Sequence, residues 1–383
     1  MATALGVLEV RGMAALTAAA DAMLKAADVR VAGRHGIGSG WVTVAIEGEV
    51  AAVETAIRVG QAEAAAHGQV IRAEVIARPE PRAMERMPHP GAVGPGTPAV
   101  GTKALGMLET QGVSPLIVGT DAAVKAAAVE LTGWAFIGGA LCHAVLRGDV
   151  AAVQTAIEAG RQVAAPVGPV HATLVLPQPI EGLGPLLPPV PGGEARSCGA
   201  LGMVETTGYV AAVTAGDAMV KEAEVQVLRL TIGSGGRVAT LVSGSLDSVQ
   251  AAVRAGAAIT AQVAEVAAAR VISRPDPQVM ACFGQAVEPR PASPPRAMGL
   301  IETRSTVGLV AALDQMLKAA RVEYAGRYKV GYFLTAGVVR GDVGAVKAAL
   351  DAGAKEAVRH GELVAVHLIP HPYPELEERL AHR

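Results

Sequence analysis

The sequence predicts an α+β chain of four tandem ferredoxin-like domains, each with the element order βαββαβ. The first observation is an internal repeat, because phrases of the type Ala-Leu-Gly-Met-Leu-Glu begin at Ala4, Ala104, Ala200 and Ala297. The second observation is that other residue types keep fixed distances from the glycine of this phrase. These are Asp21, Asp121, Asp217 and Asp314, then Lys25, Lys125, Lys221 and Lys318, and later Gly60, Gly160, Gly256 and Gly353. A register held four times predicts four copies of one structural unit.

The hydrophobic period changes in a fixed order along each repeat, here described for the first. Residues 3–10 alternate as a strand does, and Met13 to Ala27 then carries apolar residues at helical spacing. Val29–His35 and Trp41–Glu47 are predicted as short strands. The glycine-rich residues 36–40 between them suit either a hairpin or a longer exposed turn.

A second helix is predicted to begin near Gly48 and to end by Gly68. In two other repeats Asp149 and Asp342 stand where an N-cap carboxylate accepts amide hydrogen bonds. The last strand, 69–77, is stopped by Pro79. This order predicts an antiparallel sheet with both helices on one side.

Segments rich in proline and glycine separate the repeats and are predicted to be linkers. They place the four domains at 1–82, 103–180, 198–279 and 296–377. Each domain is large enough for one layered core, although it gains stability from packing on a neighbour.

Composition excludes several classes of function. The chain has 383 residues, of which 51% are hydrophobic and 3% are aromatic. Its net charge is −2, so it creates no overall electrostatic field that would attract nucleic acid or anionic lipid. No apolar run reaches the roughly 18 residues of a membrane span, and the N-terminus lacks the basic start of a secretory signal. Three dispersed cysteines fit a reducing compartment. We expect a cytoplasmic protein.

The motifs resemble those of bacterial microcompartment shell proteins. The resemblance rests on the opening phrase, on Asp-Ala-Met-Leu-Lys-Ala-Ala in the first helix, on Ile-Gly-Ser-Gly before the third strand and on Arg-Gly-Asp-Val before the second helix. It covers all four repeats and matches the unpermuted element order. It implies a structural protein in which six domains form a flat tile, and tiles join edge to edge into a porous shell around enzymes. The implied partners are the chain itself, other shell proteins and the enclosed enzymes.

The resemblance also implies two sets of functional residues. The tile-edge residues would be Lys25, Lys125, Lys221 and Lys318, although a helical ion pair with the aspartate four residues earlier is the plainer interpretation. The pore-loop residues would be Gly38, Ser39, Gly40, Gly138, Gly139, Gly233, Ser234, Gly235, Gly331 and Tyr332. Tyr332 would narrow any pore that it joins. An ordinary hairpin loop is the alternative, and phosphate binding is disfavoured because no loop continues into a helix.

No catalytic, metal or cofactor constellation is predicted. The regularly placed Glu9, Glu109, Glu205 and Glu302 are more typical of structural carboxylates than of general bases. Cys142 could hold an iron–sulfur cluster only if several thiolates converged, whereas it falls inside a predicted strand. We therefore expect a protein that is not an enzyme. A soluble ligand-binding or regulatory protein is the alternative function, since one fold serves many functions.

Domain counting predicts the stoichiometry. Rings of six filled by a chain of four domains need at least twelve domains, which three chains supply. Closed symmetry favours equivalent subunits, and a trimer with two stacked pseudo-hexameric rings provides them. A monomer completed by single-domain partners is the competing arrangement.

Overall fold

The computed structural model describes residues 4–80, 103–188, 199–233, 235–262, 264–284, 296–331, 334–360 and 363–373. The chain divides into two compact units. The first comprises 1–111 and 115–195, and the second comprises 112–114 and 196–383. Repeat 1 and repeat 2, except for residues 112–114, belong to the first unit, and repeats 3 and 4 belong to the second.

Repeat 1 has the predicted βαββαβ order. Its elements are β1 Ala4–Arg11, α1 Met13–Ala26, β2 Val29–Gly38, β3 Trp41–Gly48, α2 Val50–His67 and β4 Gln69–Ile76. The sheet order is β2-β3-β1-β4, and every neighbouring pair is antiparallel. The ferredoxin-like prediction is confirmed.

Repeat 2 has the same order and one addition. Its elements are β5 Ala104–Gln111, α3 Val113–Ala126, β6 Val129–Gly138, β7 Leu141–Gly148, α4 Val150–Ala164 and β8 Val170–Leu176. A 3-10 turn, Glu181–Leu186, follows and packs on α1 and β2 of repeat 1. Leu183 and Leu186 are buried there, and Arg34 donates to the Leu186 carbonyl at 3.1 Å. The start of the second spacer is therefore part of the core of the first unit.

The second unit repeats the pattern twice. Repeat 3 contains β9 Ala200–Thr207, α5 Tyr209–Glu222, β10 Val225–Ile232, β11 Arg237–Gly244, α6 Leu246–Thr260 and β12 Val266–Ile272, followed by α7 Pro277–Phe283. Repeat 4 contains β13 Ala297–Thr303, α8 Thr306–Ala319, β14 Glu323–Val330, β15 Leu334–Gly341, α9 Val343–Arg359 and β16 Leu363–Ile369. The sequence reasoning did not predict α7. Its signal is Asp276, whose side chain accepts from the Gln278 amide, followed by Pro277 at the first helical position.

Both helices of a repeat lie on one face of its sheet because recurring glycines permit close approach. A Cβ on Gly6 would lie 2.7 Å from Val53 of α2, and a Cβ on Gly60 would lie 2.4 Å from Met23 of α1. Gly6 therefore seats α2 on β1, and Gly60 seats α2 on α1. These two contacts explain why both glycines recur in the sequence.

The predicted capping hydrogen bonds of Asp149 and Asp342 are wrong. Both residues occupy the N-cap position with extended backbone, but neither side chain accepts a capping hydrogen bond. Their charge still lies at the positive end of the helix dipole, which is favourable without a hydrogen bond. In repeat 3 the equivalent Ser245 does cap, accepting from the Ser248 amide at 3.2 Å.

Candidate functional site

Adjacent repeats in the first unit join through a buried carboxylate. Helix α1 begins after Gly12, which has no side chain to cap it. Glu109, from β5 of repeat 2, supplies the cap: one carboxylate oxygen accepts from the Met13 amide at 3.0 Å and the other from the Ala14 amide at 3.2 Å. The Glu109 side chain is fully buried. A carboxyl group from one repeat thus accepts the first amides of a helix in the preceding repeat.

The second unit uses the same arrangement. Helix α5 begins after Gly208, again without a side-chain cap. Glu302 of repeat 4 accepts from the Tyr209 amide at 2.8 Å and is 1% exposed. A Cβ on Gly208 would stand 2.5 Å from a Glu302 oxygen, so the glycine makes room for the carboxylate.

Apolar packing accompanies the carboxylate. Gly106 faces α4, so its strand neighbour Met107 points to the opposite side of the sheet. There Met107, Val145 and Leu174 join the same core as the helix α1 residues Leu16 and Met23. The outer sheet face of repeat 2 therefore packs on the first helix of repeat 1.

Burial shifts two titratable groups of this junction in opposite directions. It raises the pKa of Glu109 to about 7, although the Ala14 and Met13 amides and the Arg11 charge oppose the shift. Burial, together with the nearby Arg34 charge, lowers the pKa of His143 to about 3. Glu109 and His143 are direct partners across β5 and β7. Burial also raises the pKa of Glu302.

The recurrent aspartate and lysine form the expected helical ion pair in every repeat, with Nζ–Oδ2 distances of 2.5 to 2.6 Å. In the first unit they also hold the exit of repeat 2. The Ile180 amide donates to Asp21 at 2.8 Å, and Lys25 donates to the Gln178 carbonyl at 2.6 Å. In the second unit the Tyr373 amide donates to Asp217 at 3.2 Å. Asp21 and Asp217 thus join consecutive repeats, while the four lysine side chains stay 42 to 67% exposed.

The glycine loops are tight hairpin turns. Strand β2 continues through Gly38, and only Ser39 and Gly40 turn, with φ of 53° and 82°. In repeat 2 the turn residues are Gly139 and Ala140, with φ of 60° and 66°. Two successive positive φ angles match the hairpin turn that continues the twist of its strands. The longer exposed turn, one of the two expected forms, is not adopted in these repeats.

The loops of repeats 1 and 2 pack backbone to backbone. A Cβ on Gly139 would lie 2.7 Å from the Ser39 carbonyl carbon, and one on Gly138 would lie 2.9 Å from the Gly40 nitrogen. Leu141, the first residue of β7, lies against Gly40. Side chains at these glycines would separate the loops, so their small size is a requirement of the contact.

In the second unit the described part of the repeat 3 loop has a similar conformation and contacts the first residue of β15. Gly235 and Gly236 have φ of 74° and 83°, and Leu334 of repeat 4 lies against Gly236 as Leu141 lies against Gly40. The Gly233 amide donates to the Arg237 carbonyl at 2.8 Å, and Gly331 has φ of 69°. Ser234 and Tyr332 lie outside the described residues.

Cys142, the residue considered for an iron–sulfur cluster, lies inside a strand. Cys142 is buried in β7 beside Thr110, and the 3.6 Å contact joins its sulfur to the Thr110 hydroxyl. Within the described residues no three His, Cys, Asp or Glu side chains gather as a metal site. Nor is any helix there both long and apolar enough to cross a membrane.

Sequence reasoning missed the role of the strand glutamates as caps between repeats. A signal was present: each glutamate precedes a helix start, and in three repeats a glycine stands where a capping side chain is expected. Such a helix start leaves its first amides for an acceptor from elsewhere in the structure, which here is a glutamate.

Comparison with known proteins agrees with this repeated geometry. The BMC domain family matches residues 4–79, 104–179, 200–275 and 297–372. The chain belongs to this family. One relative is the carboxysome assembly protein CcmO of Synechocystis, 36% identical over 192 residues, which are 49% of this chain and 65% of that protein, just under two thirds. The microcompartment shell protein EutM of Salmonella typhimurium is 56% identical over 82 residues, 21% of this chain and 85% of EutM. The shell protein PduA of Citrobacter freundii is 48% identical over 84 residues, 22% of this chain and 90% of PduA.

Proposed function

We propose that this protein is a structural, non-enzymatic shell protein of a bacterial microcompartment in the cytoplasm. The observation that carries the proposal is the stacking of consecutive BMC domains. In each unit a sheet face covers the preceding helix, and in the first unit the glycine loops lie side by side. A ring of domains requires this contact to recur around an axis. The shell proteins EutM and PduA are relatives by single repeats, which supports the same role here.

The proposed domains are 1–82, 103–180, 198–279 and 296–377, and the four matched segments fall within them. Six such domains form one pseudo-hexameric tile. Three chains contribute the twelve domains of two tiles, as a homotrimer with stacked rings. Other shell proteins complete the surface, and enzymes lie inside it.

The pore of a tile is lined by the glycine loops. Gly38, Gly40, Gly138 and Gly139 contribute backbone groups to the rim of an opening for small metabolites. The loops of neighbouring repeats pack too closely there for larger residues. Tyr332 narrows the opening where repeat 4 contributes. The four recurrent lysines lie at the tile edge and contact the neighbouring tile.

Electron microscopy of the purified protein tests the proposal. We expect hexagonal tiles that extend into sheets or tubes, with a central hole in each tile. Native mass spectrometry of the same sample is expected to give a trimer. Isolated particles without hexagonal order, both alone and with other shell proteins, would contradict a shell role.

A further inference from the structure

The sheets of repeats 2 and 4 each carry a row of three side chains that begins at the capping glutamate. Across β5, β7 and β6 of repeat 2, the directly paired residues are Glu109, His143 and Ala135. Across β13, β15 and β14 of repeat 4, they are Glu302, Ala336 and Tyr328. Directly opposed residues on neighbouring strands share one face of the sheet and contact one another. We call the three places in each row the cap, middle and outer positions.

The cap position holds a helix start in the same way in both units. Glu109 accepts from the Met13 amide at 3.0 Å, and Glu302 accepts from the Tyr209 amide at 2.8 Å. Met13 and Tyr209 are the first residues of α1 and α5, and both are at most 1% exposed. Their side chains therefore leave the helix from equivalent points beside the row, although one is an unbranched thioether and the other an aromatic ring.

In the second unit the Tyr209 side chain extends across the row. Its ring stacks on the ring of Tyr328, with centroids 4.3 Å apart and planes 11° from parallel. Because the Tyr209 amide lies at the cap position and its ring lies at the outer position, the side chain passes over the middle position. Ala336 occupies that position and is fully buried. Its single methyl group leaves room for the ring.

The first unit fills the same row in the opposite order of size. His143 occupies the middle position and is fully buried, while the small Ala135 occupies the outer position. Neither ring nitrogen of His143 has a hydrogen-bond partner among the described residues, so the imidazole acts there through its volume. The Met13 sulfur accepts from Arg34 at 3.6 Å. An unbranched, flexible side chain bends past an imidazole, whereas a planar phenol ring does not.

We propose that the middle and outer positions form a steric pairing code, in which His143 and Ala336 determine which helix start fits each sheet. The row of repeat 2 fits methionine and excludes tyrosine, whereas the row of repeat 4 fits tyrosine and stacks on it. The capping glutamate does not discriminate, because every repeat carries it. The code keeps repeat 2 on repeat 1 and repeat 4 on repeat 3 while four similar domains fold in one chain. It goes beyond the proposed function, since it concerns the choice of partner between repeats.

Amide hydrogen exchange of the full chain, read by mass spectrometry at the starts of α1 and α5, measures the opening of each junction separately. Met13→Tyr places a ring against His143, and we expect the α1 start to exchange at least about fivefold faster. Val50→Tyr, at the first residue of α2, which is 36% exposed, is the matched control and should leave both starts unchanged.

A compensating variant separates the code from a general loss of packing. Adding His143→Ala and Ala135→Tyr to Met13→Tyr recreates the row of repeat 4 together with its tyrosine. We expect exchange at the α1 start to return to within about twofold of wild type, because coupled substitutions in contact are not additive. Unchanged exchange in Met13→Tyr alone, or a triple variant that exchanges as fast as Met13→Tyr, would overturn the code.

The reciprocal variant tests the second unit and provides an internal reference. Ala336→His fills the middle position under the Tyr209 ring, so the α5 start should exchange at least about fivefold faster while the α1 start keeps its wild-type rate. Equal acceleration at both starts would also overturn the code, since it would show a general loss of structure instead of the failure of one junction.

Discussion

Glu109 and His143 are two buried titratable residues on neighbouring strands, and pH acts on them in opposite senses. The raised pKa of Glu109 means that the folded state holds its proton more tightly than the unfolded chain does. The lowered pKa of His143 means that the folded state keeps the imidazole neutral. Between about pH 4.5 and 6.5 the two effects on stability oppose each other.

Replacing Glu109 by Gln isolates the first effect. Because the folded pKa of Glu109 is raised to about 7, its stabilising contribution is present below about pH 4.5 and is lost as the pH rises to 7. We expect the unfolding free energy of Glu109→Gln, relative to wild type, to rise by up to about 3 kcal/mol over that range. Denaturant unfolding at several pH values measures it, with Glu54→Gln as the control. A difference independent of pH would show that the two amides fully offset burial.

Replacing His143 by Thr, the residue that repeat 1 has at this position, isolates the second effect. The lowered pKa of His143 makes its contribution complete above about pH 6.5, and it is lost as the pH falls. Wild type should lose about 2 kcal/mol relative to His143→Thr between pH 7 and pH 5. The same unfolding series measures this, with His35→Thr, at an exposed histidine, as the control. Parallel curves for wild type and His143→Thr would contradict the prediction.

At the residue scale, the sequence alone identified the recurring residues but few of the residues that they contact. The Asp21–Lys25 pair follows from helical spacing and is confirmed. The contact of Glu109 with Met13 joins residues 96 positions apart. Local pattern carries no information on such a pairing, because it depends on how one repeat docks on another.

At the scale of elements, helix α9 contains two glycines in contrasting surroundings. A Cβ on Gly353 would lie 2.4 Å from Met316 of α8, whereas a Cβ on Gly344 would meet nothing within 4 Å. Gly353→Ala should therefore lower the unfolding free energy by about 1 to 3 kcal/mol. Gly344→Ala should raise it by up to about 1 kcal/mol through helix propensity. Thermal unfolding of both variants measures the contrast, and equal shifts would contradict the packing argument.

The element order was predictable because each repeat supports the same periodicity four times. The exact residues at which the strands end were less predictable. Strand β2 continues through Gly36 to Gly38, since pairing with β3 accommodates the glycines through irregular register. Helix α7 was missed because its seven residues are too few to establish a helical period.

At the scale of the whole molecule, the recurrent lysines test association between tiles. Replacing Lys25, Lys125, Lys221 and Lys318 by Ala removes exposed amines whose ion pairs contribute little to stability. We expect the oligomer mass and the thermal midpoint to be retained while extended sheets disappear in electron micrographs. Changing the exposed Lys347 and Lys355 of α9 instead provides a control. Sheets that persist in the quadruple variant would contradict the edge assignment.

The cap that Glu109 places on α1 also sets an order of events on the ribosome. Met13 and its amide partner Glu109 are 96 residues apart. At about 5 to 20 residues per second, helix α1 waits roughly 5 to 20 seconds for its cap to be synthesised. In the second unit Glu302 of repeat 4 likewise caps the first helix of repeat 3 at the Tyr209 amide. Within each pair, the later-made repeat completes the earlier one.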